Sequence, residues 1–298
     1  MFTGCGTALV TPFRQNSALD EDAMRRLVAR QLKAGIDFLV PCGTTGESPT
    51  LSVAEQKRVV EITVEEAAGK VPVVAGAGGN DTAHVIATAR EFEKIGANGI
   101  LSVSPYYNKP TQEGLYQHFK AIASSISLPI ILYNIPGRTG VNIEPATIAR
   151  LAEIGNIVGV KEASGNISQM ATLLDSVPEI FSVLSGDDGI TLPLMALGGR
   201  GLISVASNEI PAEMTKIVRL ALGNDFAAAR EVHRKYFRLM DANFLETNPT
   251  PVKAAMSMMG LLEPVWRLPL VPPKAETIAK IRGALEAVGL MQQVYAAR

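Results

Sequence analysis

Lys161 follows an apolar run, Ile157-Val158-Gly159-Val160. In an extended strand the side chains alternate, so Lys161 is expected on one face with Gly159 and Ile157. If that face is buried, desolvation disfavours the ammonium and lowers its pKa. A fall from about 10.4 to about 7 costs the charged form roughly 4–5 kcal/mol. A neutral amine near pH 7 is the form that attacks a carbonyl carbon and makes a Schiff base. The alternative is a lysine that snorkels to a carboxylate, with Glu162 and Asp187 as the nearby partners. Tyr133 shifts the balance. It sits near the end of another apolar run, Pro129–Pro136. A phenol beside a nucleophilic amine can move protons in imine formation and carbon–carbon bond steps; in an ordinary core the same tyrosine would only need a partner for its hydroxyl.

Two further segments add anion-binding chemistry. Gly43-Thr44-Thr45-Gly46 offers backbone N–H groups and two hydroxyls, the makings of a nest for a carboxylate or phosphate. As a bare pattern it is also simply a turn leading to a helix cap at Ser52. Arg138, in Gly137-Arg138-Thr139-Gly140, has the fork geometry to clamp a second carboxylate; a solvated surface arginine is the plainer reading. Together these residues suggest a metal-independent aldolase or lyase acting on a 2-oxo acid. The histidines, His84, His118 and His233, and the cysteines, Cys5 and Cys42, show no zinc-ligand spacing, so no metal is expected.

Such residues must be held by regular elements. Eight apolar runs alternate with amphipathic stretches: Gly4–Phe13, Asp37–Thr44, Val71–Gly78, Gly99–Tyr107, Pro129–Pro136, Ile157–Ala163, Phe181–Asp187 and Gly201–Ser207. Continuous apolar strands mark a parallel sheet buried on both faces. Asp20–Ala34, Thr82–Ile95 and Glu113–Ile126 carry a helical period, with Arg25, Arg26 and Arg30 of the first left for solvent. Ser52-Val53-Ala54-Glu55 reads as a capping box. Gly35, Gly69, Gly96, Gly155 and Gly198 are placed as left-handed helix ends. The pattern predicts an α/β fold, a (β/α)8 barrel over 1–222, followed by a helical appendage over 223–298 with helices at Ala227–Ala242, Pro249–Met259 and Lys274–Val288. A doubly wound sheet would want a glycine-rich phosphate turn after the first strand, and Thr11-Pro12-Phe13 is not one. In such a barrel the site lies at the C-terminal strand ends. These ends also bring Tyr106-Tyr107-Asn108, Ser185-Gly186-Asp187-Asp188, and Ser204, Ser207 and Asn208.

Composition removes other classes. With 28 Lys and Arg against 29 Asp and Glu, the net charge is −1, so no basic face for nucleic acid is expected. Hydrophobic residues at 47% and charged ones at 19% describe a globular chain, not a disordered one. No apolar run reaches the roughly 20 residues of a membrane helix, and the first residues lack the pattern of a signal peptide. A cytoplasmic protein is the default expectation.

At these residues the chain resembles the pyruvate-dependent class I aldolases and lyases, a superfamily on a (β/α)8 barrel, and within it the dihydrodipicolinate synthase family. Gly43-Thr44-Thr45-Gly46-Glu47 looks like the family's Gly-x-x-Gly-Glu loop, and Tyr133-Asn134-Ile135-Pro136 with Lys161 like its second signature. The likeness runs from Phe2-Thr3-Gly4 through Val103–Pro110 and Gln112–Phe119 to the proline-rich tail. The resemblance implies condensation of pyruvate with L-aspartate 4-semialdehyde, the first committed step toward diaminopimelate and lysine. It implies Lys161 as the Schiff-base lysine, and Tyr133, Thr44 and Tyr107 as a proton relay, with Tyr107 lent across a tight dimer. It also implies Thr45 on the pyruvate carboxylate, Arg138 on the semialdehyde carboxylate, and the backbone at Gly186 and Ile203 lining the pocket. No cofactor and a homotetramer, a dimer of dimers, are implied. The alternative is a sister lyase cleaving a sugar-derived 2-oxo acid through the same Lys161 imine, but relatives acting on sugar acids lack the loop arginine. A more remote one is a non-catalytic barrel that binds a small carboxylate, whose mark would be loss of the lysine or tyrosine. One departure concerns the family's feedback site for L-lysine. Ser48, Asn80 and Tyr106 match it, but Val53 and Gln56 replace a histidine pair and His84 replaces a glutamate. Weak or absent lysine inhibition is expected.

Overall fold

A computed structural model describes residues 2–291. All eight apolar runs contain strands, each shorter than its run: β1 (Gly4–Ala8), β2 (Phe38–Val40), β3 (Val74–Gly76), β4 (Gly99–Val103), β5 (Ile130–Asn134), β6 (Ile157–Glu162), β7 (Ser182–Ser185) and β8 (Gly201–Ser204). The C-terminal ends of the runs leave the sheet as loops, which is where their polar residues stand. All pairings are parallel, in the order β2-β1-β8-β7-β6-β5-β4-β3. A single parallel bridge, Leu39 to Val73, joins the two ends into a nearly closed barrel. The open doubly wound sheet is thereby excluded.

Helices follow every strand: α1 (Glu21–Lys33), α2 (Val53–Ala67), α3 (Thr82–Ile95), α4 (Gln112–Ala123), α5 (Pro136–Thr139) and α6 (Pro145–Ala152) after β5, α7 (Ile167–Ser176), α8 (Thr191–Ala196) and α9 (Pro211–Leu222). Their starts are written locally. The Asp20 carboxylate caps α1 through the Ala23 N–H at 3.1 Å. Ser52 and Glu55 form the reciprocal capping box at 3.2 and 2.9 Å, satisfying two of the orphan donors of α2. Gly35, Gly69, Gly96 and Gly198 have positive φ as expected; Gly155 does not, because α6 already ends at Glu153 in a right-handed conformation. Arg30 is not left to solvent. Its guanidinium bonds the Asn208 and Glu209 carbonyls. Beyond the barrel lie α10 (Phe226–Ala242), α11 (Thr250–Met258) and α12 (Ala275–Ala287). Helix α10 packs on α8 and α9, and α12 on α10 and α11.

The apolar side chains divide into layers. Phe2, Ala8, Phe38, Val40, Val74, Leu101, Ile131, Leu184 and Ile203 fill the barrel interior together with Tyr133. A much larger cluster lies between sheet and helices. Each buried Val, Leu or Ile contributes on the order of 1.5–3 kcal/mol, so the interior is a packed core on which the site rests. Strict alternation fails at one place. The β5–β6 register shifts between Ile130 and Ile131. Ile157 consequently packs in the outer cluster and Val158 against the inner one. Ile157 thus lies opposite to the face that alternation assigned it with Lys161.

Candidate active site

Lys161 occupies the C-terminal half of β6, paired in register with Tyr133 of β5 on one side and Leu184 of β7 on the other. Residues paired in register share a face, and Tyr133 and Leu184 belong to the barrel interior. The lysine is 5% exposed. Its Nζ stands over the Tyr133 ring, 4.5 Å from the centroid. Burial pushes its pKa down to about 8. The Arg138 charge adds to the fall, and Asp188 and then Asp187 oppose it.

Neither carboxylate offered by the sequence takes the amine. Glu162 accepts from Asn134 Nδ2 at 3.0 Å and from the Ser164 N–H at 2.6 Å. Asp187 Oδ1 accepts from the Gly189 N–H at 2.8 Å. Asp188, buried, accepts from the Ser204 hydroxyl at 2.5 Å and from the Val205 and Ala206 N–H groups at 3.1 and 2.9 Å. These acids are held by strand-end donors, and Asp188 and Asp187 act on Lys161 only through their fields. Among the described residues Lys161 has no ion pair.

Gly186 makes room for the lysine. A Cβ there would lie 2.6 Å from Ala163 Cβ and 3.0 Å from Lys161 Cε. Its N–H bonds the Glu162 carbonyl at 2.8 Å, which fixes β7 against β6 at this level. Ile203, paired in register with Gly6 of β1, closes the interior below.

Tyr133 is 5% exposed, and burial pushes its phenol up to about 12; Arg138 and the Thr44 hydroxyl work the other way. A cavity of about 590 Å³ is lined by Thr44, Leu101, Val103, Tyr133, Ile135 and Arg138, among others. Arg138 is carried by α5, a single turn started by Pro136, and its Nη2 donates to the Asn248 carbonyl at 3.0 Å. In the Gly43–Glu47 loop, the Gly46, Glu47 and Ser48 N–H groups turn back onto the Gly43 and Thr44 carbonyls. Among the described residues the Thr44 and Thr45 N–H groups keep no protein acceptor. The nest is therefore narrower than the four-residue pattern suggested. Thr45 is buried and does not line the cavity; its hydroxyl accepts from Asn248 Nδ2 at 3.0 Å.

Tyr107 is not brought to this cavity by its own chain. It is 88% exposed, with φ of 73°. Ser48, Val53, Gln56, Asn80, His84 and Tyr106 line the same cavity. Gln56 Nε2 is turned onto Ser48 and the Leu51 carbonyl. The cavity is not free of acid there, because Asp81 also lines it. One Asp81 oxygen caps α3 through the Ala83 N–H at 3.0 Å.

Sequence reading missed Asn248 and Lys253. Lys253 lies in the apolar stretch Pro249–Met259, the same signal that singled out Lys161. It is fully buried, and its Nζ meets Glu47 Oε1 at 2.5 Å. Asn248 carried no signal, since its partners are more than a hundred residues away.

A desolvated lysine without a counter-ion, a phenol over its amine and a lone arginine at the C-terminal strand ends of an eight-stranded parallel barrel together define a class I aldolase or lyase architecture. The comparisons narrow the class. Residues 1–288 match the model of the dihydrodipicolinate synthetase family, and the chain belongs to that family. A 4-hydroxy-tetrahydrodipicolinate synthase of Koribacter versatilis is 54% identical, with 99% of each chain covered. The dihydrodipicolinate synthase structure of Aquifex aeolicus superposes with a TM-score of 0.95 at 46% identity, covering 97% of this chain and 99% of that one. The Acinetobacter baumannii enzyme, solved with pyruvate, gives 0.96 at 41% identity over 97% and 100%. Among the described residues no helix is long and apolar enough to cross a membrane, and no group of three His, Cys, Asp or Glu side chains is placed to hold a metal ion.

Proposed function

We propose that this chain condenses pyruvate with L-aspartate 4-semialdehyde to 4-hydroxy-tetrahydrodipicolinate, with Lys161 as the nucleophile. The observation that carries the reading is the buried Lys161 amine, unpaired and held down to about 8. Family membership and the named relatives support the substrates. The free amine attacks the pyruvate C2 carbonyl, and loss of water gives the imine. A proton leaves the methyl carbon to give an enamine. That carbon attacks the aldehyde of the semialdehyde, whose own amine then takes the imine carbon and releases Lys161. The net reaction loses one water and needs no cofactor. Tyr133, neutral at pH 7, and Thr44 carry the protons. Thr44, which lines the cavity, gives its N–H to the pyruvate carboxylate with the adjoining Thr45 N–H in support, and Arg138 holds the semialdehyde carboxylate.

Tyr107 enters from a second copy of the chain, which fits its exposure, and a homotetramer is the expected assembly. The division of the chain near residue 222 leaves the chemistry to the barrel. L-lysine inhibits weakly or not at all, because Val53, Gln56 and His84 replace the family's ligands. A sub-millimolar inhibition constant would overturn that.

The deciding experiment is turnover of pyruvate with L-aspartate 4-semialdehyde by wild type and Lys161→Ala. Turnover abolished in the variant is expected. A wild type inactive with this pair would remove the substrate assignment, and borohydride trapping with pyruvate alone would then report on the imine.

A further inference from the structure

The site loop Gly43–Glu47 is fixed from outside the barrel. Glu47, at its end, has left-handed backbone, φ 53° and ψ 35°, which costs a residue with a Cβ energy. Its side chain is fully buried, and Lys253 on α11 meets it. The second carboxylate oxygen faces the Arg267 N–H at 3.4 Å. The Lys253 amine and the Arg267 guanidinium both lie on the Phe13 ring, at 4.4 and 4.1 Å from its centroid, and Phe13 has no exposure. Five residues before Lys253, Asn248 uses both its side chain and its backbone: Nδ2 donates to the Thr45 hydroxyl, and its carbonyl accepts from Arg138. Asn248 Oδ1 is buried without a partner. The short segment 248–253 thus touches the loop with the free Thr44 and Thr45 N–H groups, and also the arginine across the cavity.

We infer that Asn248 and the Glu47–Lys253 pair are positioning residues for the carboxylate nest at Thr44 and Thr45. The reasoning is geometric. The Thr45 hydroxyl is tied to Asn248, which restrains the Thr45 side chain and, through it, the backbone that carries the N–H. The Glu47 carboxylate is tied to α11, so the loop's exit is anchored 206 residues away in sequence. A buried ion pair is weak evidence of stability, because desolvation offsets the attraction. Its sharper effect is to select one arrangement of the loop. Pre-organised N–H groups bind an anion without a reorganisation cost.

This inference rests on the imine reading, so the test uses pyruvate alone. Full-length wild type, Asn248→Ala and the double variant Glu47→Gln/Lys253→Met are titrated with pyruvate, and borohydride trapping at Lys161 is followed at 25 °C. Asn248→Ala removes one hydrogen bond and should raise half-saturating pyruvate about tenfold with little change in thermal midpoint. The double variant removes both charges together, avoids a lone buried ion, and should also need several-fold more pyruvate. Half-saturation at the wild-type concentration in Asn248→Ala overturns the inference, even if the double variant fails to fold; the same result in a folded double variant overturns it for the ion pair. Failure of the wild type to trap pyruvate at all would instead sink the imine reading, and the inference with it.

Discussion

Lys161 and Lys253 are both buried, and the protein resolves the cost of that in opposite ways. Lys253 has a carboxylate at 2.5 Å and an aromatic face beneath it. Burial still lowers its pKa, but Glu47 works against the fall. Lys161 has a phenol ring and no carboxylate in contact, and it falls to about 8. The first is a charged structural link; the second is an amine that spends part of its time neutral. Both sit in apolar sequence, so the burial of a lysine does not by itself make a nucleophile. What separates them is whether the tertiary structure supplies a counter-ion.

That contrast can be broken most sharply by Lys161→Met. Turnover and borohydride trapping should both disappear, a loss of at least about a thousandfold, while the thermal midpoint stays level or rises because an unpaired buried amine is gone. A large loss of stability would mean that Lys161, like Lys253, is structural. Lys253→Met should do the reverse. Removing one member of a buried pair costs roughly 3–5 kcal/mol, visible in urea unfolding, and trapping at Lys161 should persist wherever the protein remains folded. Equal stability to wild type would show that Glu47 finds water or another donor.

A smaller effect is expected at Gly186. Gly186→Ala places a methyl 3.0 Å from Lys161 Cε, and a displacement of this kind costs on the order of a hundredfold in rate. The same methyl would lie 2.6 Å from Ala163 Cβ, so stability should also fall, by roughly 1–3 kcal/mol; unchanged kcat in the folded variant would show that the lysine has room to give.

The pH dependence gives the finest distinction. Imine formation needs the free amine, so its rate should fall tenfold per pH unit on the acid side of about 8. The stability sign follows from linkage. In the folded state the Lys161 pKa lies below its unfolded value of about 10.4, so the unfolded chain holds more protons between about pH 8 and 10.4. The cost of Lys161 is complete about a unit below pH 8 and lifts as pH rises through that window, by on the order of 3 kcal/mol in all. The stability difference between wild type and Lys161→Met should shrink by about 2 kcal/mol from pH 8 to pH 10, most of that total. A difference independent of pH would place the Lys161 pKa at its ordinary value.

Much of this molecule is written locally. The eight apolar runs, the Ser52–Glu55 box, the Asp20 cap and the helix periods are each decided by residues within a turn or a strand of one another. From them the barrel follows, because parallel strands buried on both faces need helices over them. The barrel in turn places Lys161 and Tyr133 at neighbouring strand ends, where their residue types suggested chemistry. Alternation assigned Ile157 to the wrong face because the register shift beside it is a property of the β5–β6 pair, not of either strand.

What only the tertiary structure decided are the pairings across long separations. Glu162 is adjacent to Lys161 in sequence and Asp187 stands at the next strand end, whereas Glu47 lies 206 residues from Lys253. The fold turned the former toward their own strand-end donors and brought the latter into contact across the molecule. Sequence spacing determines which face a side chain leaves by. Which partner waits there depends on how separate elements pack, and that packing decides that Lys161 is left without a counter-ion while Lys253 is given one.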